Sequence, residues 1–192
     1  MKRFLKFLLW LVAGLVVAGV VAFGYYGGFR RVTFEVTTLG GETLVFKQMT
    51  GDYANSGTVM EQVREALGDK YNVLTDRCFG TYYDNPNITA KENLRYDAGC
   101  IVEAIDSVQL VAVQGEFRVG VVPVKGYVST TFPYRGKMSI LAALTKVYPA
   151  LYRYMADNGL MERAGAVTEI YDLHGGHIEY RVELLDAEGA AK

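Results

Sequence analysis

The spacing of apolar and polar residues changes sharply in one stretch of the chain. Residues 127–132 are rich in β-branched and aromatic side chains, which is typical of a strand, and Pro133 ends that strand. From residue 138 onward, apolar residues recur every three and four positions, as on one face of an amphipathic helix. The pattern therefore predicts a strand, a tight turn at Gly136, and a helix that ends near Gly159, a residue suited to a helix C-cap.

The same order of patterns also occurs earlier, which indicates an internal pseudo-repeat of strand, helix, strand and strand. One such unit leaves an apolar face of its sheet exposed, so we expect two units to pair face to face and bury it. We therefore predict an α+β fold made from a tandem of these units, with an aromatic cleft between them. The repeated elements are strands at 44–49, 76–83 and 96–102 with a helix at 55–67, and strands at 127–132, 168–172 and 177–184 with the helix from 138.

Two further apolar runs lie between the units, at residues 108–113 and 117–122. Their β-branched composition predicts two strands, which form either a hairpin or a detour between the units. Residues 173–177 contain two adjacent glycines that can supply positive φ, and they predict a tight hairpin between the last two strands. Residues 186–192 are predicted to be a frayed tail.

The N-terminal stretch has a different pattern, because residues 7–29 carry no charged side chain. As a helix this stretch would be about 35 Å long, which is enough to cross the roughly 30 Å core of a bilayer. Trp10 at one end, and Tyr25 and Tyr26 at the other, suit the aromatic belts of the two interfaces. The length favours an uncleaved transmembrane anchor over residues 1–29 rather than a signal peptide, whose apolar core is shorter.

The charges around this segment give a weak prediction of its orientation. The N-terminal flank carries slightly more positive charge than Arg30 and Arg31 on the other flank, which favours a domain on the outer side. We therefore predict a single-pass membrane protein, in a bacterial inner membrane with an outward-facing domain or in an endoplasmic-reticulum membrane. In a lumen, Asn87 of the Asn-Ile-Thr sequence could accept a glycan, although a chance match is as good an explanation.

The rest of the chain is long enough for one domain with a sizeable core. We predict a stalk or short strand over residues 30–41 and the folded domain over residues 42–185. The net charge of −1 gives no electrostatic case for binding nucleic acid. Cys78 and Cys100 fall on strands predicted to be adjacent, and they either pair in an oxidising compartment or remain buried free thiols.

Tyrosine carries most of the candidate chemistry, since the chain has 14 tyrosines. Many fall at strand ends and helix starts, where flat rings with polar tips would suit a planar or amphipathic ligand in a shared cleft. Glu169 would add selectivity for a cation, helped by cation–π contacts. The alternative is that these are ordinary half-buried sheet residues and that Glu169 faces solvent. The predicted ligand-binding residues are Tyr53, Tyr82, Tyr83, Phe132, Tyr134, Tyr148, Tyr152, Glu169 and Tyr171.

Patterns for other kinds of site are weaker. His174 and His177 flank the two hairpin glycines, but no third metal ligand is evident, so a solvated turn is favoured over a metal site. The sequence has neither a G-x-S-x-G elbow nor a glycine-rich phosphate loop after a strand. An enzyme would depend on Glu169 with Tyr134 or Tyr171 as acid and base. We therefore favour binding over catalysis, and expect no cofactor and no metal.

Four short motifs occur along the two units in one order. They are Tyr82-Tyr-Asp-Asn-Pro86, the segment 94–101, Thr131-Phe-Pro-Tyr134 with the helix that follows, and Glu169-Ile-Tyr171. Together they resemble the GyrI-like small-molecule-binding domain, a tandem of two strand–helix–strand–strand (SHS2) units. The resemblance covers about residues 42–185.

That family includes gyrase inhibitory proteins and the effector-binding domains of multidrug-sensing regulators. The resemblance implies that Glu169 is the acid that meets cationic ligands in an aromatic pocket. Some relatives hydrolyse strained cyclopropane-containing compounds, which would imply a catalytic pair of Glu169 and a nearby tyrosine. No DNA-binding helix–turn–helix precedes the domain, so the resemblance does not extend to transcription factors.

The motifs and the single N-terminal apolar segment are also similar to a family of testis-expressed endoplasmic-reticulum autophagy receptors of animals. Those relatives have a long disordered tail with an autophagy-binding motif, whereas this chain stops at Lys192. We predict a membrane-anchored GyrI-like domain that binds a planar or amphipathic ligand, with a cation as one option. The alternatives are a membrane-tethered scaffold that binds protein partners, and a small hydrolase of strained electrophiles.

Overall fold

A computed structural model of the protein describes residues 2–185, within which it has four α-helices and eight strands. The predicted tail at 186–192 lies outside the described residues. The helices are α1 (Lys2–Tyr25), α2 (Ser56–Tyr71), α3 (Ser107–Gln114) and α4 (Lys137–Asp157). The strands are β1 (Glu35–Leu39), β2 (Thr43–Thr50), β3 (Arg77–Tyr82), β4 (Arg95–Val102), β5 (Arg118–Val121), β6 (Lys125–Pro133), β7 (Ala164–Asp172) and β8 (His177–Leu184).

The eight strands form one antiparallel sheet in the order β1-β6-β8-β7-β3-β4-β2-β5. The first unit comprises β2, α2, β3 and β4, and the second comprises β6, α4, β7 and β8. The predicted tandem α+β fold is confirmed. The expected face-to-face packing is wrong, because β3 and β7 pair from Arg77↔Asp172 to Tyr82↔Val167 and join the units edge to edge.

Helices α2 and α4, one from each unit, cover the same face of this sheet. Val63 on α2 and Val147 on α4 are both fully buried, and they belong to one apolar cluster with Phe132 and Tyr180 of the sheet. Burying each large apolar side chain stabilises the folded state by about 1.5–3 kcal/mol, so this cluster is the main source of stability. The core therefore runs across the junction of the two units and not within each unit separately.

The opposite face of the sheet carries a smaller apolar cluster of Phe79, Ile101 and Ile170. Beside it, Arg181 is buried and pairs with Glu179 and Glu42 at 2.8 Å each. The side chains of β8 therefore alternate strictly between an apolar face under the helices and a charged face away from them.

The prediction of a strand at residues 108–113 is wrong, because these residues lie in α3. The side chain of Asp106 accepts hydrogen bonds from the backbone N–H groups of Val108 and Gln109, both at 2.8 Å, and the Gln109 side chain accepts from the Asp106 N–H. This capping box starts a helix despite the β-branched residues that follow. The neighbouring run at 117–122 does contain a strand, β5, which pairs with β2.

Helix α2 is longer than the predicted segment 55–67. Gly68 lies inside the helix, which continues to Tyr71 and ends at Asn72 with a left-handed φ of 52°. The Asn72 N–H bonds to the Leu67 carbonyl oxygen. Asparagine tolerates this conformation better than most residues, so it replaces glycine as the stop signal.

The end of α1 is held against the domain. Gly27 has a φ of +89°, and a Cβ there would lie 2.8 Å from Pro133 Cγ and 2.9 Å from Phe132 Cζ. The Lys146 ammonium on α4 donates to the carbonyl oxygens of Gly28 and Arg30. Residues 27–30 are therefore packed against the domain, and β1, which follows them, pairs with β6 at the edge of the sheet.

Candidate functional site

Glu169 lies in the middle of β7, beside the junction of the two units. Its register partners are Gly80 on β3 and Tyr180 on β8. A Cβ at Gly80 would lie 2.6 Å from the hydroxyl oxygen of Tyr82, so the absence of a side chain there makes room for the Tyr82 ring. Glu169 is only 4% exposed, because tyrosine rings and α4 cover it.

Two tyrosine hydroxyl groups hold the Glu169 carboxylate. Tyr148 on α4 donates to Oε1 at 2.6 Å, and Tyr171 donates to Oε2 at 2.5 Å. Tyr171 follows Glu169 by two positions on the same strand, so both side chains point to the helix-covered face. The Tyr134 ring packs edge-on against Tyr171 with a centroid distance of 5.8 Å. The two carboxylate oxygens thus accept hydrogen bonds from two different elements, α4 and β7.

Burial raises the pKa of Glu169 above its usual value, and the two tyrosine hydrogen bonds offset part of that rise. Burial, together with the Glu169 charge, also raises the pKa of Tyr148 and Tyr171, which therefore remain donors at physiological pH. Among residues 2–185, no lysine, arginine or histidine forms an ion pair with Glu169. The site is therefore a buried acid with hydrogen-bond donors but no cation.

The first unit contributes a second group of aromatic rings. Tyr53, at the start of the helical segment, lies 4.8 Å from Tyr82 and 5.6 Å from Tyr96 between ring centroids. The Tyr82 hydroxyl is 3.0 Å from the hydroxyl of the buried Ser56. Because Tyr82 also lies near Glu169, whose charge helps to raise the Tyr82 pKa, it links this group to the carboxylate.

Three of the predicted ligand-binding residues lie away from Glu169. Tyr83 is on the opposite face of the sheet, where its hydroxyl donates to Asp97 Oδ2 at 2.7 Å. Tyr152 is 47% exposed on the outside of α4. Phe132 is fully buried in the core beside the Gly27 turn. The structure thus brings together Glu169 and the remaining tyrosines, with Tyr53 behind Tyr82.

The sequence patterns missed Tyr180 and Ser56. Tyr180 is fully buried next to Glu169, and its hydroxyl has no hydrogen-bond partner among the described residues. A signal was present, because Ile178, Tyr180 and Val182 alternate with charged residues along β8, which predicts an inward-facing tyrosine. No local pattern points to the contact of Ser56 with Tyr82.

The space around Glu169 is occupied by tyrosine rings. Two surface cavities of about 370 and 620 Å³ lie elsewhere, and neither is lined by Glu169. The first borders Arg30, Arg31 and β1, and the second lies beside the C-terminal end of α2. A ligand at Glu169 would therefore have to displace aromatic side chains rather than enter an open cleft.

The sequence of the folded domain matches a known family. Residues 33–185 match the family of GyrI-like small molecule binding domains. The chain belongs to this family. A curated relative, the Testis-expressed protein 264 homolog of Mus musculus, is 26% identical over 165 aligned residues, in a match that covers 80% of this chain and 52% of the relative. The chain thus spans about half the length of the curated relatives it matches.

Solved structures share the GyrI-like fold at low sequence identity. The C-terminal domain of EcmrR has a TM-score of 0.55 and is 11% identical, with 81% of this chain and 99% of that chain covered. The structure of SAV2435 bound to tetraphenylphosphonium has a TM-score of 0.51 and is 10% identical, with 81% and 95% covered. At these identities the similarities concern the fold alone.

Proposed function

We propose that this chain is a membrane-anchored binding protein whose GyrI-like domain accepts a planar or amphipathic cation against Glu169. One observation carries the proposal: a carboxylate at the junction of the two units is buried without a positively charged partner within residues 2–185. Burying an acid is costly, and the two tyrosine hydrogen bonds offset only part of that cost, since the pKa of Glu169 stays above its usual value. A cationic ligand would supply the missing charge.

The surrounding groups suit such a ligand. Rings of Tyr82, Tyr134 and Tyr148 offer aromatic faces that attract cations. The Tyr180 hydroxyl is buried without a partner among the described residues, so it is free to bond a polar group of the ligand. The proposed ligand is therefore an aromatic or amphipathic cation with a small polar substituent at most.

Helix α4 offers a route for opening the site. Pro149 follows Tyr148 inside this helix and has no N–H to bond the carbonyl oxygen four residues earlier. The helix is therefore weakened next to the tyrosine that holds Glu169 Oε1. We expect the ligand to replace the Tyr148 hydroxyl as the partner of the carboxylate.

One structural neighbour supports the chemical class of the ligand. The structure of SAV2435, which shares the fold, contains bound tetraphenylphosphonium, a bulky aromatic cation. The low identity means that this compound is a probe for the present chain and not an assignment of its ligand. Tetraphenylphosphonium carries the positive charge that the Glu169 site lacks and the aromatic surface that its tyrosine rings favour.

The test uses the full chain in nanodiscs, titrated with tetraphenylphosphonium while thermal unfolding is followed. A bound cation should raise the melting temperature by mass action. Glu169→Gln should abolish this rise. Asp97→Asn is the matched control, because Asp97 is also a buried carboxylate bonded to a tyrosine but lies on the opposite face.

Charge dependence is checked with triphenylphosphine oxide, which has similar rings and no net charge. The proposal predicts little or no stabilisation by this compound. Equal stabilisation of wild type and Glu169→Gln by tetraphenylphosphonium would contradict a role for the carboxylate.

The membrane anchor is part of the proposal. Within the described residues, α1 has one stretch, Lys6–Tyr25, that is long and apolar enough to cross a membrane, with a mean hydropathy of 2.5. A signal sequence has similar properties, but removal of α1 would take the Phe23 ring from Phe29 and the Tyr25 ring from the Arg135 guanidinium. These contacts favour retention of the segment. Resistance of the intact chain to alkaline carbonate extraction would support the anchor, and protease protection in sealed vesicles would give its orientation.

A membrane-tethered scaffold is the second candidate. It rests on the resemblance of the sequence motifs to testis-expressed autophagy receptors, and the matched Testis-expressed protein 264 homolog is covered over only 52% of its length. The Glu169→Gln variant separates the two candidates, because a surface that binds protein partners would not depend on a buried carboxylate.

A further inference from the structure

Helices α2 and α4, the equivalent helices of the two units, differ in the side chains that they expose away from the sheet. On α2 the exposed positions include Glu61, Gln62 and Glu65, as expected for a helix whose outside meets water. On α4 the exposed positions include large apolar side chains: Met138 is 53% exposed and Leu141 is 56% exposed. Since both helices cover the same sheet in equivalent units, the difference is a property of the α4 surface and not of the fold.

The apolar residues of α4 form a continuous stripe. Met138, Leu141 and Leu144, with Tyr152 further along, repeat at helical spacing and are all at least 46% exposed. No acidic residue occurs in α4 before Asp157, its last residue, whereas Lys137, Lys146 and Arg153 lie on the same helix. An exposed apolar stripe with basic residues is the pattern of a helix that lies on a membrane surface.

The position of α4 relative to α1 identifies the surface that covers this stripe. Lys146 of α4 donates to the carbonyl oxygens of Gly28 and Arg30, just beyond the end of α1. The guanidinium of Arg135, just before α4, lies 4.4 Å from the ring centroid of Tyr25, the last residue of α1. The first half of α4 is thus held within a side-chain length of the point where α1 would leave the bilayer.

We propose that the outer face of α4 lies on the bilayer that α1 crosses, with Met138, Leu141 and Leu144 in the interfacial layer. This inference depends on the membrane anchoring proposed above, but not on ligand binding. The basic side chains would lie near lipid phosphate groups, and anionic lipids would strengthen the contact. The α2 face, which carries acidic residues, would remain in water.

The test measures depth in the membrane for the full chain in nanodiscs. Leu141→Cys is labelled with a nitrobenzoxadiazole fluorophore, and Gln62→Cys on α2 is the matched control. The wild-type chain, labelled in parallel, gives the background from Cys78 and Cys100, which are buried. Leu144→Cys provides a second position on the stripe if the first variant does not fold.

Lipids that carry a shallow doxyl quencher should reduce the emission at position 141 severalfold more than at position 62. Equal and weak quenching at both positions would overturn the proposal. Blue-shifted emission without lipid quenching would also overturn it, since a second copy or another protein would then cover the stripe. A chain that does not remain with the nanodiscs at all would instead refute the anchoring on which the inference depends.

Discussion

Tyr148 and Glu169 connect the helical layer of the domain to its sheet through one hydrogen bond. The Tyr148 hydroxyl on α4 donates to Oε1 of Glu169 on β7 at 2.6 Å. Glu169 lies on β7, which pairs with β3 to join the two units, so this bond ties α4 to the centre of the sheet. The second oxygen is held from within β7 by Tyr171, which moves with the strand and not with the helix.

Tyr148→Phe should destabilise the protein by about 1–3 kcal/mol, because a buried acceptor loses its donor. Tyr152→Phe is the control on the same helix, since Tyr152 is largely exposed and should change stability by less than about 0.5 kcal/mol. Chemical unfolding of both variants, monitored by circular dichroism, measures the difference. Similar losses in the two variants would show that the Glu169 bond contributes no more than a surface hydroxyl.

The stability of the domain should fall with rising pH because of Glu169. Its folded-state pKa is raised by burial, so the folded state holds this proton at a pH where the unfolded state, with a pKa near 4.5, has lost it. The contribution of Glu169 to stability is complete at pH values below its unfolded-state pKa, and it is lost as the pH rises through its folded-state pKa. Relative to Glu169→Gln, wild type should lose up to about 1.4 kcal/mol per pH unit over that window.

Glu61→Gln provides the control of opposite sign for the pH series. The Arg64 side chain on α2 lowers the pKa of Glu61. Ionised Glu61 therefore contributes stability at pH values above its unfolded-state pKa, and this contribution is lost as the pH falls through the lowered folded-state pKa. Both variants are compared with wild type by thermal melts across acidic to neutral pH. Parallel curves for wild type and Glu169→Gln would argue against a raised pKa of Glu169.

Gly27→Ala should loosen the segment after α1. The added Cβ would lie within 3 Å of Pro133 and Phe132, and the positive φ disfavours alanine. Trypsin cleavage at Arg30 and Arg31 in nanodisc-embedded protein measures this release, and it should become severalfold faster. Gly19→Ala, at a position with nothing within 4 Å of a Cβ, should leave the cleavage rate unchanged.

The two cysteines should form a disulfide under mild oxidation. Cys78 and Cys100 are register partners on β3 and β4, with their sulfur atoms 3.2 Å apart as free thiols. Diamide, a two-electron oxidant, would take up the two thiol hydrogens as the S–S bond forms. Mass spectrometry after alkylation under denaturing conditions counts the remaining thiols. Retention of both thiols after diamide treatment of the folded protein would show that the sheet does not permit the small approach required.

Hydrophobic spacing was sufficient to predict the two-unit fold, because α2, α4 and strands such as β8 carry apolar residues with a clear period. β8 was predicted at its observed bounds, His177–Leu184. Spacing did not reveal α3, where a capping box at Asp106 decides the structure. Nor did it reveal the edge-to-edge junction, since the same apolar faces could be buried by either arrangement.

The candidate site was predicted in part for similar reasons. Glu169 and Tyr171 share parity on β7, so the strand pattern places them on one face. Tyr82 and Tyr83 are adjacent and point to opposite faces, and parity alone would have removed Tyr83 from the site. The contact between Tyr148 and Glu169 depends on how α4 crosses the sheet, which local sequence does not encode.

The pairing of Glu169 with Gly80 across the junction has a consequence for stoichiometry. The two units repeat each other in architecture, yet the middle of one central strand carries an acid and the opposing position carries no side chain. At this junction the duplicated scaffold thus places one carboxylate, that of Glu169. A cation titrated into the protein should accordingly saturate at one equivalent per chain, even though the fold itself is built twice.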